Sequence, residues 1–234
     1  MPSCCSQCQG IEKEFNEAVA RRELAQYRRR GPAGTTRKLL RALRAEDLEG
    51  RILLDIGGGV GVIQHELLTS GVERAVSVDA SSAYLAAAQE EARRRGLERR
   101  VTYVHGDFVQ VAEDVPPADI VTLDKVICCY DDMPSLVSRA AGRTRRVLGA
   151  VYPRDTWWTR VGVGFLNLIM RLRRSPFRSF VHPAQEIDAI LRSHGLTLRS
   201  RGGTLLWLVA VYARTSAALA SSPALAASAT AASR

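Results

Sequence analysis

Residues 53–61 read Leu-Leu-Asp-Ile-Gly-Gly-Gly-Val-Gly, and the next apolar run, Ala-Val-Ser-Val-Asp at 75–79, ends in an acidic residue. A strand that ends in a glycine loop and continues into a helix lets backbone N–H groups approach a cofactor closely. A carboxylate at the end of the following strand can accept hydrogen bonds from both hydroxyls of a ribose. Together the two segments predict an adenosine-binding site.

The spacing of the loop glycines distinguishes between adenosine cofactors. Dinucleotide-binding loops follow G-x-G-x-x-G, whereas Gly57, Gly59 and Gly61 occupy every second position after Asp55. An acidic residue beside the loop suits a cofactor that carries an ammonium and a sulfonium better than it suits a pyrophosphate. A nicotinamide-dependent oxidoreductase is therefore the more distant alternative.

The loop resembles motif I of the class I S-adenosylmethionine (SAM) methyltransferases. Asp79 lies where that family has its ribose-binding acid, and Gly106-Asp107-Phe108 lies where an Asp contacts the adenine amino group. The run 119–124 resembles motif IV, whose end faces the methyl group. The resemblance implies SAM as cofactor. It also implies cofactor contacts from Asp55, Gly57, Gly58, Gly59, Gly61, Asp79, Ala80, Gly106, Asp107, Phe108 and Asp124.

Apolar runs and helical periodicities alternate along the chain, which predicts an α/β fold. We expect a Rossmann-like, doubly wound, mostly parallel sheet with helices on both faces. The resemblance implies seven strands, of which the last is antiparallel. Helices are predicted over 11–30, 35–44, 62–69, 83–95, 134–141 and 184–194, and strands over 51–56, 75–79, 101–105, 119–124, 146–152, 196–200 and 204–213.

The composition fits one enzyme domain, because 234 residues that are 46% hydrophobic can bury a substantial core. We expect an N-terminal helical cap over 1–50, a SAM-binding domain over 51–213 with a cap insertion at about 154–182, and a disordered Ala/Ser tail over 214–234. The N-terminus lacks a secretory pattern, and the chain has no apolar run of membrane-spanning length. These features predict a cytoplasmic protein.

The stretch 156–174 has an apolar middle, two tryptophans near its start and three arginines at its end. Three interpretations remain open for it. It can be an insertion that covers the active site, a helix packed on the edge of the sheet, or a helix at a membrane interface.

A formal net charge of +9, with basic clusters on both sides of the cofactor motifs, favours an acidic acceptor. Nucleic acid is disfavoured because no Asn/Asp-Pro-Pro-Tyr/Phe motif follows residue 124, and aromatic residues do not alternate with the basic ones. The expected partner is a small, acidic or aromatic molecule. The sequence does not predict an oligomeric state.

The stretch after strand four, with the basic N-terminal region, is similar to the magnesium-protoporphyrin O-methyltransferases. In that subfamily a His-Tyr pair stands where this chain has Cys129-Tyr130, and an N-terminal tyrosine, here matched by Tyr27, closes the site. O-methylation of a carboxylate needs no general base. For a phenol or thiol acceptor, the candidate catalytic residues are Tyr27, Tyr130, His182 and Asp124.

The five cysteines form two clusters, Cys4-Cys5-x-x-Cys8 and Cys128-Cys129, which is not a secreted disulfide pattern. Adjacent residues in extended backbone point to opposite sides, so we expect at most one of the second pair to face the site. The first cluster lacks a clear fourth ligand, and no metal is predicted. Two alternatives remain: a methyltransferase for sulfur or arsenic acceptors that uses both clusters, and a catalytically silent SAM-fold binding module.

Overall fold

A computed structural model describes residues 6–214, with side chains from residue 10 onward. The described strands are β1 (Ile52–Ile56), β2 (Arg74–Asp79), β3 (Val101–His105), β4 (Ala118–Asp124), β5 (Thr144–Pro153), β6 (Leu196–Gly203) and β7 (Trp207–Arg214). They form one seven-stranded sheet in the order β3-β2-β1-β4-β5-β7-β6. The first five strands in this order, β3, β2, β1, β4 and β5, pair in parallel. Strand β7 is antiparallel to both β5 and β6. The predicted doubly wound, mostly parallel α/β fold is confirmed.

Helices cover both faces of this sheet. They are α1 (Ser6–Glu14), α2 (Glu17–Arg30), α3 (Gly34–Leu43), α4 (Val62–Thr69), α5 (Ser82–Arg94), α6 (Phe108–Val111), α7 (Met133–Gly142), α8 (Trp157–Leu172) and α9 (Ala184–Ser193). One buried cluster joins α3 and α4 to the sheet, and a second joins α7 and α9 to its other face. Burying both faces explains why the central strands read as continuous apolar runs.

The predicted single helix over 11–30 is wrong, because the chain breaks into α1 and α2 at Asn16. The side-chain oxygen of Asn16 accepts a hydrogen bond from the backbone N–H of Ala18 at 3.0 Å and so caps α2. A helical periodicity continues across this junction in the sequence, and only the capping residue marks the break.

Helix α2 is held on α5 by partly buried and exposed polar contacts. The guanidinium of Arg28 donates to Glu91 at 2.8 Å and to Glu90 at 2.7 Å. The hydroxyl of Tyr84 donates to Glu23 at 2.9 Å. Burial raises the pKa of Glu91, but hydrogen bonds from Arg94, Arg95 and Arg28 outweigh it and hold that pKa well below its usual range. The N-terminal segment is therefore anchored beside the loop that follows β2.

The described structure leaves out Cys4 and Cys5, the side chain of Cys8, and residues 215–234 of the predicted tail. The predicted start of that tail at residue 214 is wrong, because Arg214 ends β7 and its guanidinium donates to the carbonyl of Thr144 at 2.8 Å. In the described range, no helix is both long and apolar enough to cross a membrane. The predicted insertion at 154–182 contains α8 and the irregular segment that follows it.

Candidate active site

A cavity of about 540 Å³ lies at the carboxyl ends of β1, β2 and β4, where the strand order reverses direction. Ligands bind at this position in open α/β sheets. Most of the predicted site residues line the cavity: Tyr27, Asp55, Gly57, Gly58, Gly59, Asp79, Ala80, Gly106, Asp107, Phe108, Asp124 and Tyr130. Gly61 and His182 lie outside the wall.

Gly57 and Gly58 of the glycine loop lie so close to their neighbours that side chains do not fit there. Gly57 has φ +62°, and a Cβ there would collide with the side chain of Val126. A Cβ on Gly58 would lie 2.9 Å from Oδ2 of Asp55 and 2.8 Å from Oγ of Ser77. The loop thus exposes backbone rather than side chains to the cavity.

Asp55, at the end of β1, is buried, and only one of its two carboxylate oxygens accepts a hydrogen bond. Its Oδ1 accepts a hydrogen bond from the hydroxyl of Thr122 at 2.7 Å. Its Oδ2 is also buried but has no hydrogen-bond partner among the described residues. Burial raises the pKa of Asp55 to about 7. A buried carboxylate oxygen of this kind is stabilised by a cationic ligand.

Asp79, at the end of β2, is held by two backbone groups. It accepts hydrogen bonds from the N–H of Gly59 at 2.9 Å and from the N–H of Ser81 at 2.8 Å. Burial raises the pKa of Asp79 to about 6, although both hydrogen bonds oppose the shift. The carboxylate is therefore fixed in position between the glycine loop and the start of α5.

Acidic side chains dominate the charge of the wall: Glu23, Asp55, Asp79, Asp107 and Asp124. Lys125 is the one cationic side chain that the structure describes there. This charge balance, the unsatisfied oxygen of Asp55 and the close-packed glycine loop fit a cofactor with cationic groups. The acidic side chains do not suit a pyrophosphate, because they would repel its negative charge.

Tyr130 and Asp107 are joined across the wall. The Tyr130 hydroxyl lies 2.7 Å from Oδ2 and 2.9 Å from Oδ1 of Asp107 and donates to that carboxylate. Nε2 of His182 lies 2.8 Å from the backbone carbonyl of Tyr130, to which it can donate. The structure thus links His182 to Tyr130 through the backbone, away from the cavity.

Tyr27 borders the cavity, but its hydroxyl is used elsewhere. The hydroxyl donates to Glu66 at 2.9 Å, and the ring stacks on His65 with centroids 6.4 Å apart. Burial, and then the hydrogen bond to Glu66, raise the pKa of Tyr27 far above its ordinary value. This environment does not favour Tyr27 as a general base near neutral pH.

Three polar side chains meet at the end of β4. The hydroxyl of Thr36 donates to Asp124 Oδ2 at 2.6 Å. Nζ of Lys125 lies 3.2 Å from Asp124 Oδ1 and 3.2 Å from Oγ1 of Thr36. Lys125 adopts φ +65°, which is uncommon for a residue with a side chain. The sequence reasoning missed Lys125, although its place directly after the motif IV strand was a usable signal.

The prediction that Cys128 and Cys129 face opposite sides is wrong. Ile127–Cys129 form a turn of 3-10 helix, in which successive side chains are about 120° apart rather than opposed. The two Sγ atoms are 3.9 Å apart, and both residues line the cavity. The hydrogen bond from the Cys129 thiol lowers the pKa of Cys128, and the same contact raises that of Cys129.

Residues 53–148 match the protein family described as "Methyltransferase domain". Among curated proteins, the chain is 37% identical over 93 residues to the ribosomal protein L11 methyltransferases of Alteromonas mediterranea and Pseudomonas aeruginosa (strain LESB58). These alignments cover 39% of this chain and 32% of each relative, so the chain matches about a third of the relatives' length.

Two solved structures share the fold. Magnesium protoporphyrin IX methyltransferase from Synechocystis, solved with bound SAH (S-adenosylhomocysteine), has a TM-score of 0.69 at 19% identity, covering 89% of this chain and all of that one. An O-methyltransferase family protein from Burkholderia thailandensis has a TM-score of 0.66 at 17% identity, covering 88% of this chain and 64% of that one. Residues 53–148 therefore form a methyltransferase domain, as the matched family describes, and the fold and the cavity that suits a cationic cofactor agree with a class I, SAM-dependent enzyme.

Proposed function

We propose that this protein transfers the methyl group of SAM to a carboxylate oxygen of a small acidic acceptor. The observation that carries the proposal is the makeup of the wall at the end of β4. The described wall has one cation, Lys125, and no imidazole. A cation attracts an acidic acceptor, and an ionised carboxylate has no proton to lose, so a base is not required.

The cofactor half of the cavity is assigned to the residues that the sequence singled out. SAM, when bound, supplies an electrophilic methyl group on a sulfonium. We assign Asp55 and the loop of Gly57, Gly58 and Gly59 to the charged methionine part of the cofactor, and Asp79 and Ala80 to the ribose. The adenine end is assigned to the stretch Gly106-Asp107-Phe108, and Gly61 supports the loop as the residue before α4.

The acceptor half is assigned to Lys125, with Asp124 and Thr36 as positioning residues. Asp124 lies 3.2 Å from the Lys125 ammonium and holds it at the end of β4. Trp207 contributes an aromatic face to the same wall, and the Lys125 ammonium lies 6.0 Å from its ring centroid. An acceptor with a carboxylate attached to an apolar or aromatic body matches this pairing.

We assign the cap to the segment 154–182 together with the N-terminal helices. Phe177 packs edge-on against Phe15, with ring centroids 5.5 Å apart, and the backbone N–H of Phe180 donates to the carbonyl of Cys128 at 2.8 Å. Phe15 lines the cavity, whereas no described residue of 154–182 does, so this segment covers the site only through these contacts. A methyl transfer between a charged nucleophile and a sulfonium is favoured when water is excluded.

The test uses matched acceptors. The protein is incubated with SAM and with carboxylic acids of increasing size, including magnesium protoporphyrin IX, each beside its own amide, and products are read by mass spectrometry. We expect the acid, but not its amide, to gain one methyl group. Methylation of the amide alone, or of neither member of any pair, would contradict the proposal.

A second candidate function is methylation of a thiophilic acceptor, such as a trivalent arsenical or a thiol. The two thiols 3.9 Å apart on the wall favour it, because adjacent sulfurs can hold such an acceptor. Incubation with arsenite and SAM distinguishes this candidate, since it yields methylated arsenic and requires both cysteines.

Two further outcomes belong to the same assays. The relatives named as ribosomal protein L11 methyltransferases raise a protein acceptor as an alternative, which would appear as label transferred from SAM to a ribosomal protein. A silent SAM-fold module would bind SAH and methylate nothing in any assay. The cytoplasmic location stays a prediction.

A further inference from the structure

Helix α8 exposes its apolar side. Thr159 and Met170 are its buried residues, so the helix touches the domain along a narrow polar and mixed face. The opposite side bears an apolar stripe at intervals of four, four, three and four residues, which places all five side chains on one face. The stripe consists of Trp157, Val161, Phe165, Leu168 and Leu172, which are between 52% and 76% exposed.

The stripe extends onto a neighbouring turn. Leu205 and Leu206, between β6 and β7, are also exposed. Arg154, three residues before α8, donates its backbone N–H to the carbonyl of Leu206 at 2.8 Å and its Nε to the carbonyl of Thr204 at 2.7 Å. The turn is thereby held beside the tryptophan end of the helix. Apolar patches of this kind mark interaction surfaces rather than ordinary solvent-facing helices.

The charged residues within the segment that carries the stripe are all basic. From residue 156 to residue 185 the sequence has five arginines and no acidic residue. Arg160 is neutralised by Asp155 at 2.6 Å, whereas Arg171, Arg173 and Arg174 form no ion pair with a described acidic residue. The three arginines lie together at the end of α8.

The end of α8 keeps a cation where glycine is usual. Arg174 has φ +53°, and the N–H of Ser175 donates to the carbonyl of Met170 at 2.9 Å, as in a helix-ending motif. A glycine at that position would relieve the backbone but remove a charge. The combination of exposed tryptophans, an apolar stripe and terminal arginines has the chemistry of a helix that lies in an anionic lipid surface.

We propose that the α8 stripe, with Leu205 and Leu206, docks this protein on an anionic lipid surface. The apolar side chains enter the headgroup region and the three arginines pair with lipid phosphates. The next residue after this turn, Trp207, lines the cavity, so the cavity mouth borders the docking face. An acceptor dissolved in the lipid would enter from that side.

The first test is co-sedimentation of the full chain with vesicles. We expect binding to vesicles of equal parts phosphatidylcholine and phosphatidylglycerol, weaker binding to phosphatidylcholine alone, and a blue shift of tryptophan emission on binding. The triple variant Trp157→Ser, Phe165→Ser, Leu172→Ser should bind at least about tenfold more weakly, because three large apolar groups are lost. These residues are exposed, so the variant should fold normally.

Matched controls distinguish binding through the stripe from non-specific hydrophobic adsorption and from non-specific electrostatic attraction. Leu198→Ser removes an exposed leucine from β6 and should leave vesicle binding unchanged. Arg171→Gln with Arg173→Gln should weaken binding to the mixed vesicles by about fivefold for each arginine, whereas Arg192→Gln, on α9, should not.

Three results would overturn the proposal. The first is failure of the wild-type chain to bind either vesicle. The second is binding that survives the triple substitution unchanged. The third is a dimer in solution that the triple variant converts to a monomer, with no vesicle binding, since a second copy of the chain would then cover the stripe. None of these measurements uses a methyl acceptor, so they are independent of the proposed function.

Discussion

The two halves of the cavity differ in charge and in how tightly their side chains are held. In the cofactor half, Asp79 is fixed by two backbone N–H groups, and Asp55 is buried at the end of β1. In the acceptor half, Lys125 supplies the cation, beside a thiol pair and the ring of Trp207. The acidic cofactor half suits a cationic donor, whereas the proposed acceptor half holds the one described cation of the wall, Lys125, which is paired with Asp124.

The largest effect should come from breaking the cofactor half. Asp79→Ala leaves the N–H groups of Gly59 and Ser81 without their acceptor and removes the proposed ribose ligand. We expect SAH to bind about 100-fold more weakly by calorimetry. Asp114→Asn, an exposed acid outside the cavity, is the control and should bind as the wild type does.

Asp79→Asn keeps the shape of that side chain and shows whether a loss of binding in Asp79→Ala comes from the missing carboxylate rather than from misfolding. It should also weaken SAH binding while the thermal midpoint stays close to that of the wild type. An unchanged dissociation constant in both Asp79 variants would contradict the assignment.

The second effect is a pH dependence of the cofactor half. Burial raises the pKa of Asp55 to about 7 and that of Asp79 to about 6, so both take up protons as the pH falls through this range. In the proposed assignment the ligand ammonium needs an ionised Asp55, and the ribose hydroxyls donate best to an ionised Asp79. SAH affinity should therefore be at least about tenfold lower at about pH 5.5 than at about pH 8.

Asp55→Asn should flatten that profile and lower the affinity at about pH 8. The same raised pKa values make these two groups lower the unfolding free energy of the unliganded protein as the pH rises from about 4 to about 7, because the unfolded carboxyls release their protons first. A pH-independent SAH affinity would show that neither carboxylate contacts the ligand as assigned.

The third effect belongs to the acceptor half. Lys125→Met removes the cation at similar length, and we expect the KM for an acidic acceptor to rise by about tenfold or more while SAH affinity is unchanged. Lys125→Arg keeps the charge and should stay within about threefold of the wild type. Equal losses in acceptor KM and SAH affinity would mean that Lys125 only supports the fold.

The sheet and the cofactor loop were predictable because their signals are local. Apolar runs of strand length, several of them followed by glycines, predict β1 to β5. Asp55 and Asp79 lie at the carboxyl ends of neighbouring parallel strands, which meet at one edge of the sheet. The break at Asn16 was missed because one capping residue interrupts a periodicity that continues on both sides.

Other parts of the wall depend on contacts between residues far apart in the chain, which the sequence does not display. Neither the pairing of Tyr130 with Asp107 nor that of Tyr27 with Glu66 has a local signature. The 3-10 turn at Ile127–Cys129 could not be distinguished from extended backbone in a short apolar run. The catalytic roles predicted for Tyr27, Tyr130, His182 and Asp124 stay predictions.

The smallest effect should come from the thiols. Cys128→Ala with Cys129→Ala changes the volume of the wall slightly and removes no group that carboxylate methylation requires. We expect kcat/KM for an acidic acceptor to change by less than about threefold. Complete loss of activity in this double variant, with SAH binding retained, would favour the thiophilic acceptor instead.

The most direct measurement follows isotopically labelled methyl from SAM to its acceptor and then treats the product with mild alkali. Carboxyl methylation predicts a methyl ester, from which alkali releases the label as methanol, and Lys125→Met should lower the yield while leaving SAH binding intact. Carboxyl methylation would be contradicted if the label stayed on a sulfur, nitrogen or arsenic atom through the alkali step. It would also be contradicted if no acid acquired the label.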